Sequence, residues 1–308
     1  MKSSLLRQVI FPLLAALIWG TAFVAQSLCA GQIPPFAFNA LRFAVAVPFL
    51  LLLSLALEKI SRRRDASAPK AESKMLLLGG ICCGAILALA SNLQQAGIAD
   101  TAAGKAGFIT SFYVVLVPVF GIFLRRKTTA QVWVSVCIAA AGLYLLCIKA
   151  GETFTLQSAD LFLILCSLSY AAQIYIIDYF VLRVNAVKLA CAQFFWAAVF
   201  SAVLSLLFEG QRFTWAGVGN CIVPLLYVGI FSSAIAYTLQ IMAQKGSNPT
   251  VVTLLFSLES VFSVLAGAVL LHDRLSGREY LGCALMFAGV LLAEIPLHPE
   301  KSREKQLQ

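Results

Sequence analysis

Ten apolar runs of about 20 residues, separated by short polar connections, fill almost the whole of this sequence. They lie at about 8–28, 35–57, 75–99, 102–124, 130–148, 159–181, 186–208, 217–243, 247–271 and 277–295. A helix rises ~1.5 Å per residue, so each run matches the roughly 30 Å of hydrocarbon in a bilayer. Lipid gives backbone N–H and C=O groups no partners, which restricts a spanning chain to helices or a closed barrel. None of the runs shows the period-two alternation of a barrel wall. The expected fold is an all-α integral membrane protein with ten transmembrane helices.

Composition supports that reading. The 308 residues are 60% hydrophobic and 12% charged, with a mean hydropathy of +0.89. Soluble domains hold roughly 45–50% apolar and about 25% charged residues. A single soluble core of this length cannot hide so much apolar surface. The net charge of +9 does not call for a nucleic-acid partner, because the basic residues cluster between the runs. Counted on alternate sides, 17 of the 23 Lys and Arg residues fall on one side, five on the other, and Arg42 lies inside the second run. That bias places both termini in the cytoplasm of an inner or plasma membrane. The N-terminal run continues past Trp19 without a small-x-small cleavage site and reads as an uncleaved first span. The loop at 58–74 and the tail at 298–308 are polar and are expected to be mobile. None of the nine cysteines has C-x-x-C spacing, so they read as small packing residues; no metal or cofactor is expected.

The chain contains one stretch twice. TAAGKAGFITSFYVVLVPVFGIFL at 101–124 is echoed by NPTVVTLLFSLESVFSVLAGAVLL at 248–271. Setting Leu124 on Leu271 also puts Thr129 on Ser276 and Ala141-Gly142-Leu143 on Ala288-Gly289-Val290. With one residue of slippage, Leu93-Gln94 falls on Leu239-Gln240, and Leu17-Ile18-Trp19-Gly20 resembles Leu168-Ser169-Tyr170-Ala171. Matches in the same order imply two homologous halves, 1–150 and 151–297, followed by the cytoplasmic tail 298–308. Five spans per half is an odd number, so the second half enters the membrane from the opposite side. Such a 5+5 inverted-topology repeat builds two gates around a site between the halves.

Several segments resemble a known family. Trp19-Gly20, Asn39-Ala40-Leu41-Arg42-Phe43 and Gly104-Lys105-Ala106-Gly107-Phe108-Ile109-Thr110-Ser111 are similar to the drug/metabolite transporter superfamily. So are Ser257-Leu258-Glu259-Ser260-Val261-Phe262 and Leu270-Leu271-His272-Asp273-Arg274-Leu275. The resemblance is to the ten-helix EamA type and covers almost the whole chain. It implies a secondary transporter, commonly an exporter of amino acids or other small metabolites. Multidrug and nucleotide-type solute carriers of the same fold are the alternative. Ser260 stands where the family more often has proline, which predicts a straighter ninth helix than in a proline-bearing relative.

Polar residues at membrane depth are the candidate site. Glu259 falls near the middle of the ninth span, where a carboxylate is costly and usually faces a cavity or a partner. It is either a protonatable group coupling proton to solute movement or a packing anchor. Arg42, with Asn39 on the same face, either binds a substrate carboxylate through its planar fork or snorkels outward or pairs with Glu259. Lys105, at a span boundary, is expected to snorkel. Asn92 with Gln95, and Tyr237 with Gln240, share helix faces near opposite ends of their spans and read as pathway linings or interhelical hydrogen bonds. Trp19, Tyr170 and Gln173 sit mid-span and read as walls of one central cavity or as packing. Gly104, Gly107, Gly121, Gly142, Gly267 and Gly289 are expected to let helices approach closely, and Pro118 and Pro224 to bend theirs. The expected partners are a small-molecule substrate and the lipid bilayer, in a monomer or homodimer.

An intramembrane enzyme is the first rival reading. His272 and His298 lie at span ends on opposite sides, and no H-E-x-x-H motif or nucleophile elbow is present. A channel would need a filter-like loop or rings of charge, and neither is visible. No phosphate-binding loop supports a nucleotide-driven pump.

Overall fold

The computed structural model describes residues 6–61, 70–101, 103–148, 157–210, 212–270 and 275–295. Every regular element among them is a helix. Nine helical stretches among the described residues are long and apolar enough to cross a membrane. They are Arg7–Cys29, Pro35–Leu57, Glu72–Ile98, Ala106–Phe123, Ala130–Cys147, Ser158–Val181, Ala186–Phe208, Ile222–Gln244 and Pro249–Val269. The tenth expected span is also helical, at Gly277–Glu294, and differs from the others in carrying Arg278, Glu279 and Glu294 at its ends. Large side chains such as Leu206, Phe208 and Val269 are 79%, 70% and 73% exposed, as a lipid-facing surface requires.

The connection expected over 58–74 is shorter than its polarity suggests. The second helix runs on to Ser61 and the third begins at Lys70, because Lys, Glu and Ala extend helices readily where water can meet them. Residues 62–69, the tail 298–308, His272 and the side chain of Lys105 lie outside the described residues.

Two spans are interrupted near the middle. The fourth divides at Phe112 into Ala103–Ser111 and Tyr113–Phe123. The ninth divides at Ser257-Leu258 into Pro249–Phe256 and Glu259–Leu270. At both places three-residue bonds replace the four-residue ladder. Phe112 N donates to Ile109 O at 3.3 Å, and Ser260 N to Ser257 O at 3.2 Å. Serine in place of proline at 260 therefore does not keep the ninth span continuous. The Ser257 hydroxyl donates to Leu254 O at 2.7 Å, a local bond that competes with the helix ladder. In the eighth span a break at Cys221 precedes Pro224, and a π-helical segment follows at Val228–Ala236.

Contacts repeat between the halves as the sequence offsets predict. Thr129 and Ser276, which the repeat aligns, both cap their helices, accepting from Val132 N at 3.4 Å and Glu279 N at 3.3 Å. A Cβ on Gly142 would lie 2.7 Å from Gly282 O and 2.8 Å from Met286 N; on Gly289 it would lie 2.8 Å from Ser135 O and 3.0 Å from Ala139 N. Those are corresponding partners, so the fifth and tenth helices meet in a self-complementary seam. A second pair of like contacts, one residue off the offset that sets Gln94 on Gln240, joins Gly84 to Gln193 O and Gly229 to Arg42 O. Phe43 packs on its own counterpart Phe194, with ring centroids 5.4 Å apart. Gly107 makes no such approach: a Cβ there would lie 4.0 Å from Cys147 Sγ, an ordinary contact distance.

Candidate functional site

A cavity of about 580 Å³, counting its mouth, opens where seven spans converge. The first span contributes Trp19, Phe23 and Gln26, at the spacing of one helix face. Arg42, Gln94, Thr110 and Tyr113 follow from the second, third and fourth spans. The second half supplies Tyr170, Gln173 and Ile174, then Ser232, Tyr237 and Gln240, and finally Phe256 and Glu259. Residues that the sequence repeat aligns therefore line the same space: Trp19 and Tyr170, Gln94 and Gln240.

The walls are aromatic and held edge-on. Trp19 packs on Tyr237 at 5.0 Å and Phe256 at 5.4 Å, and its Nε1–H donates to Ser232 O at 3.2 Å. That carbonyl belongs to the π-helical segment, and Ser232 itself lines the cavity. Tyr113 and Tyr170 meet at 6.2 Å, and the Tyr170 hydroxyl donates to Gln94 Oε1 at 3.2 Å.

Two buried ionisable side chains line this space, and among the described residues neither forms an ion pair. Arg42, 4% exposed, donates from Nη1 to Gln26 Oε1 at 3.2 Å, and its guanidinium lies 4.7 Å from the Phe43 ring centre. Glu259, 6% exposed, accepts from Tyr113 at 3.2 Å and Ser111 at 3.4 Å. The Ser111 and Ser260 hydroxyls lie 3.1 Å apart, so the two interrupted helices are joined by hydrogen bonds at their breaks. Arg42 Nε, Thr110 Oγ1, Gln173 Nε2 and Gln240 Oε1 are buried cavity atoms without a hydrogen-bond partner. Buried polar groups are costly unless paired, so this unspent set is what a polar ligand would satisfy.

Of the residues singled out from sequence, the structure brings together Trp19, Arg42, Tyr170, Gln173, Tyr237, Gln240 and Glu259. Asn39, Asn92 and Gln95 are buried outside the cavity lining. Asn39 donates to Asn92 Oδ1 at 2.8 Å and to Ser91 O at 3.0 Å, and Asn92 donates to Ser201 at 3.0 Å. These amides tie the second, third and seventh spans together. Gln26, Gln94, Thr110, Tyr113 and Phe256 escaped sequence reading. For Gln94 a signal existed, because the repeat sets it on Gln240. For Gln26, one turn from its helix end, none did.

Comparison with known proteins agrees with this architecture. The model of the EamA-like transporter family matches residues 6–148 and again 157–294, so the chain belongs to that family. An uncharacterized transporter of Archaeoglobus fulgidus is 27% identical over 284 residues, 92% of this chain and 84% of that protein. The uncharacterized transporter YwfM of Bacillus subtilis is 22% identical, covering 96% of each chain. A solved crystal structure superposes with a TM-score of 0.76 at 21% identity, over 93% of this chain and 96% of its own, and shows the same fold. The protein is a multi-pass membrane transporter.

Proposed function

We propose that this EamA-family protein is a secondary transporter that exports small organic metabolites, amino acids or related compounds, by alternating access between its halves 1–150 and 151–297. The observation carrying this reading is the cavity itself, lined by repeat-related residues from both halves and containing unpaired buried donors and acceptors. A repeat whose halves share one site can close either side in turn. Aromatic walls suit a partly apolar body, while Arg42 and the glutamines suit a polar head. Glu259 is the proton-coupling residue in this reading. In this reading the protein lies in an inner or plasma membrane with both termini cytoplasmic, which the positive-inside bias of the sequence supports.

Counterflow in proteoliposomes tests the proposal. Vesicles preloaded with an unlabelled amino acid should accumulate the labelled form transiently, which a channel cannot do. An amino-acid panel that neither exchanges nor leaks would remove the substrate class; leakage without exchange would remove the carrier mechanism. Proton coupling predicts that an imposed pH gradient drives uptake in the wild type but not in Glu259→Gln. Equal uptake by both at every pH would eliminate Glu259 from coupling.

A further inference from the structure

The bond between Gln26 and Arg42 has a chemical consequence. Both side chains are buried, at 6% and 4% exposure, and both line the cavity. The amide oxygen of Gln26 takes Nη1 of the guanidinium and leaves Nε without a partner. The remaining surroundings are uncharged: the rings of Phe43 and Phe38, at 4.7 and 5.8 Å, the Tyr170 hydroxyl, which is hydrogen-bonded to the guanidinium, and the hydroxyl of Tyr237. Among the described residues no carboxylate forms an ion pair with Arg42; the Arg126–Asp178 pair, at 2.9 Å, lies elsewhere. A buried cation with only neutral partners is expensive, and an ion brought by a ligand offsets that cost.

We propose that Gln26 is a specificity-determining residue of this cavity. It holds Nη1 with a neutral amide and leaves Nε, on the edge the guanidinium shares between Nε and Nη2, and the whole positive charge, to a carboxylate on the transported solute, which would displace the Tyr170 hydroxyl from the guanidinium. That edge presents two parallel N–H groups at the spacing of two carboxylate oxygens, a geometry that an ammonium cannot offer. Glutamate at the same position would supply the oxyanion from within and close the site to an acidic solute. The inference rests on the transporter reading and adds the charge of what is carried and the residue that sets it.

The test is thermal denaturation of the purified full chain with L-amino acids and their matched C-terminal amides. Free acids should stabilise the wild type while their amides do not. Gln26→Glu alone should melt several degrees above the wild type and lose the response to free acids. Gln26→Met, which keeps the volume but not the acceptor, should bind the same acid on the order of tenfold more weakly, a loss of about 1.4 kcal/mol, with a smaller preference over the amide. The proposal is overturned if acid and amide act alike on the wild type, if Gln26→Glu keeps the acid response or melts no higher, or if Gln26→Met discriminates as before. A wild type stabilised by no free acid also overturns it. In that case, stabilisation by an amide or by a cationic drug would leave the transporter reading in place.

Discussion

The phenol of Tyr113 donates to Glu259 Oε1 at 3.2 Å, joining the fourth span of one half to the ninth of the other where each helix is interrupted. Removing one partner of a buried carboxylate leaves it short of a donor, at a cost of about 1–3 kcal/mol. Tyr113→Phe should therefore lower stability by that amount in detergent, with the ring packing on Tyr170 preserved. Wild-type stability in this variant would show that the bond contributes nothing.

Glu209 caps a helix from far away in sequence. Its two carboxylate oxygens accept from Phe36 N at 2.9 Å and Ala37 N at 2.8 Å, at the start of the second helix, where Pro34 and Pro35 supply no side-chain cap. Losing such a cap costs roughly 0.5–2 kcal/mol. Glu209→Ala should destabilise by that amount, and Glu209→Gln by less because one acceptor survives. Equal melting temperatures for the two variants would argue against capping.

Gly20 has no room for a side chain. A Cβ there would stand 2.6 Å from Phe262 Cβ and 2.7 Å from Glu259 O, so Gly20→Ala must push the first span off the ninth. Overpacking of this kind costs about 1–3 kcal/mol. Gly219→Ala, which would meet nothing within 4 Å, is the matched control and should be neutral or slightly stabilising. If both behave alike, the first and ninth spans are not in tight contact in solution.

Trp19 separates ring packing from hydrogen bonding. Trp19→Phe keeps an aromatic ring facing Tyr237 and Phe256 and loses the bond to Ser232 O, a loss of about 0.5–1.5 kcal/mol. Trp19→Ala also opens the cavity wall and should cost about 3–5 kcal/mol. Denaturation of the two variants side by side gives the comparison; similar losses would assign the whole contribution of Trp19 to its N–H.

The spans were legible because lipid imposes a length and a composition that few other environments demand. The repeat was legible where it falls on caps and close contacts, as Thr129 and Ser276 or Gly142 and Gly289 show. Helical phase was harder to read. In a span apolar on every side, nothing in the residue pattern says whether Gln94 or its neighbour Gln95 faces the cavity, and only the repeat offset distinguishes them. The interruptions at Phe112 and Ser257-Leu258 carry no proline or glycine to mark them in the sequence; at Ser257 the local mark is a hydroxyl that bonds to Leu254 O, and a serine in a helix is too common to read as a break. Gln26 became visible only through its partner, since a glutamine near a helix end is otherwise ordinary surface chemistry.

The like contacts of Gly84 with Gln193 O and of Gly229 with Arg42 O separate backbone packing from side-chain chemistry. The two backbone carbonyls do the same job in each half, yet one belongs to an arginine and the other to a glutamine. The backbone contact is thus common to both places, while the side chains differ: Arg42 is a cation lining the cavity, and Gln193 is a buried neutral amide outside it. Exchanging the residues at 42 and 193 would take the cation out of the cavity lining and enclose it where Gln193 is now fully buried.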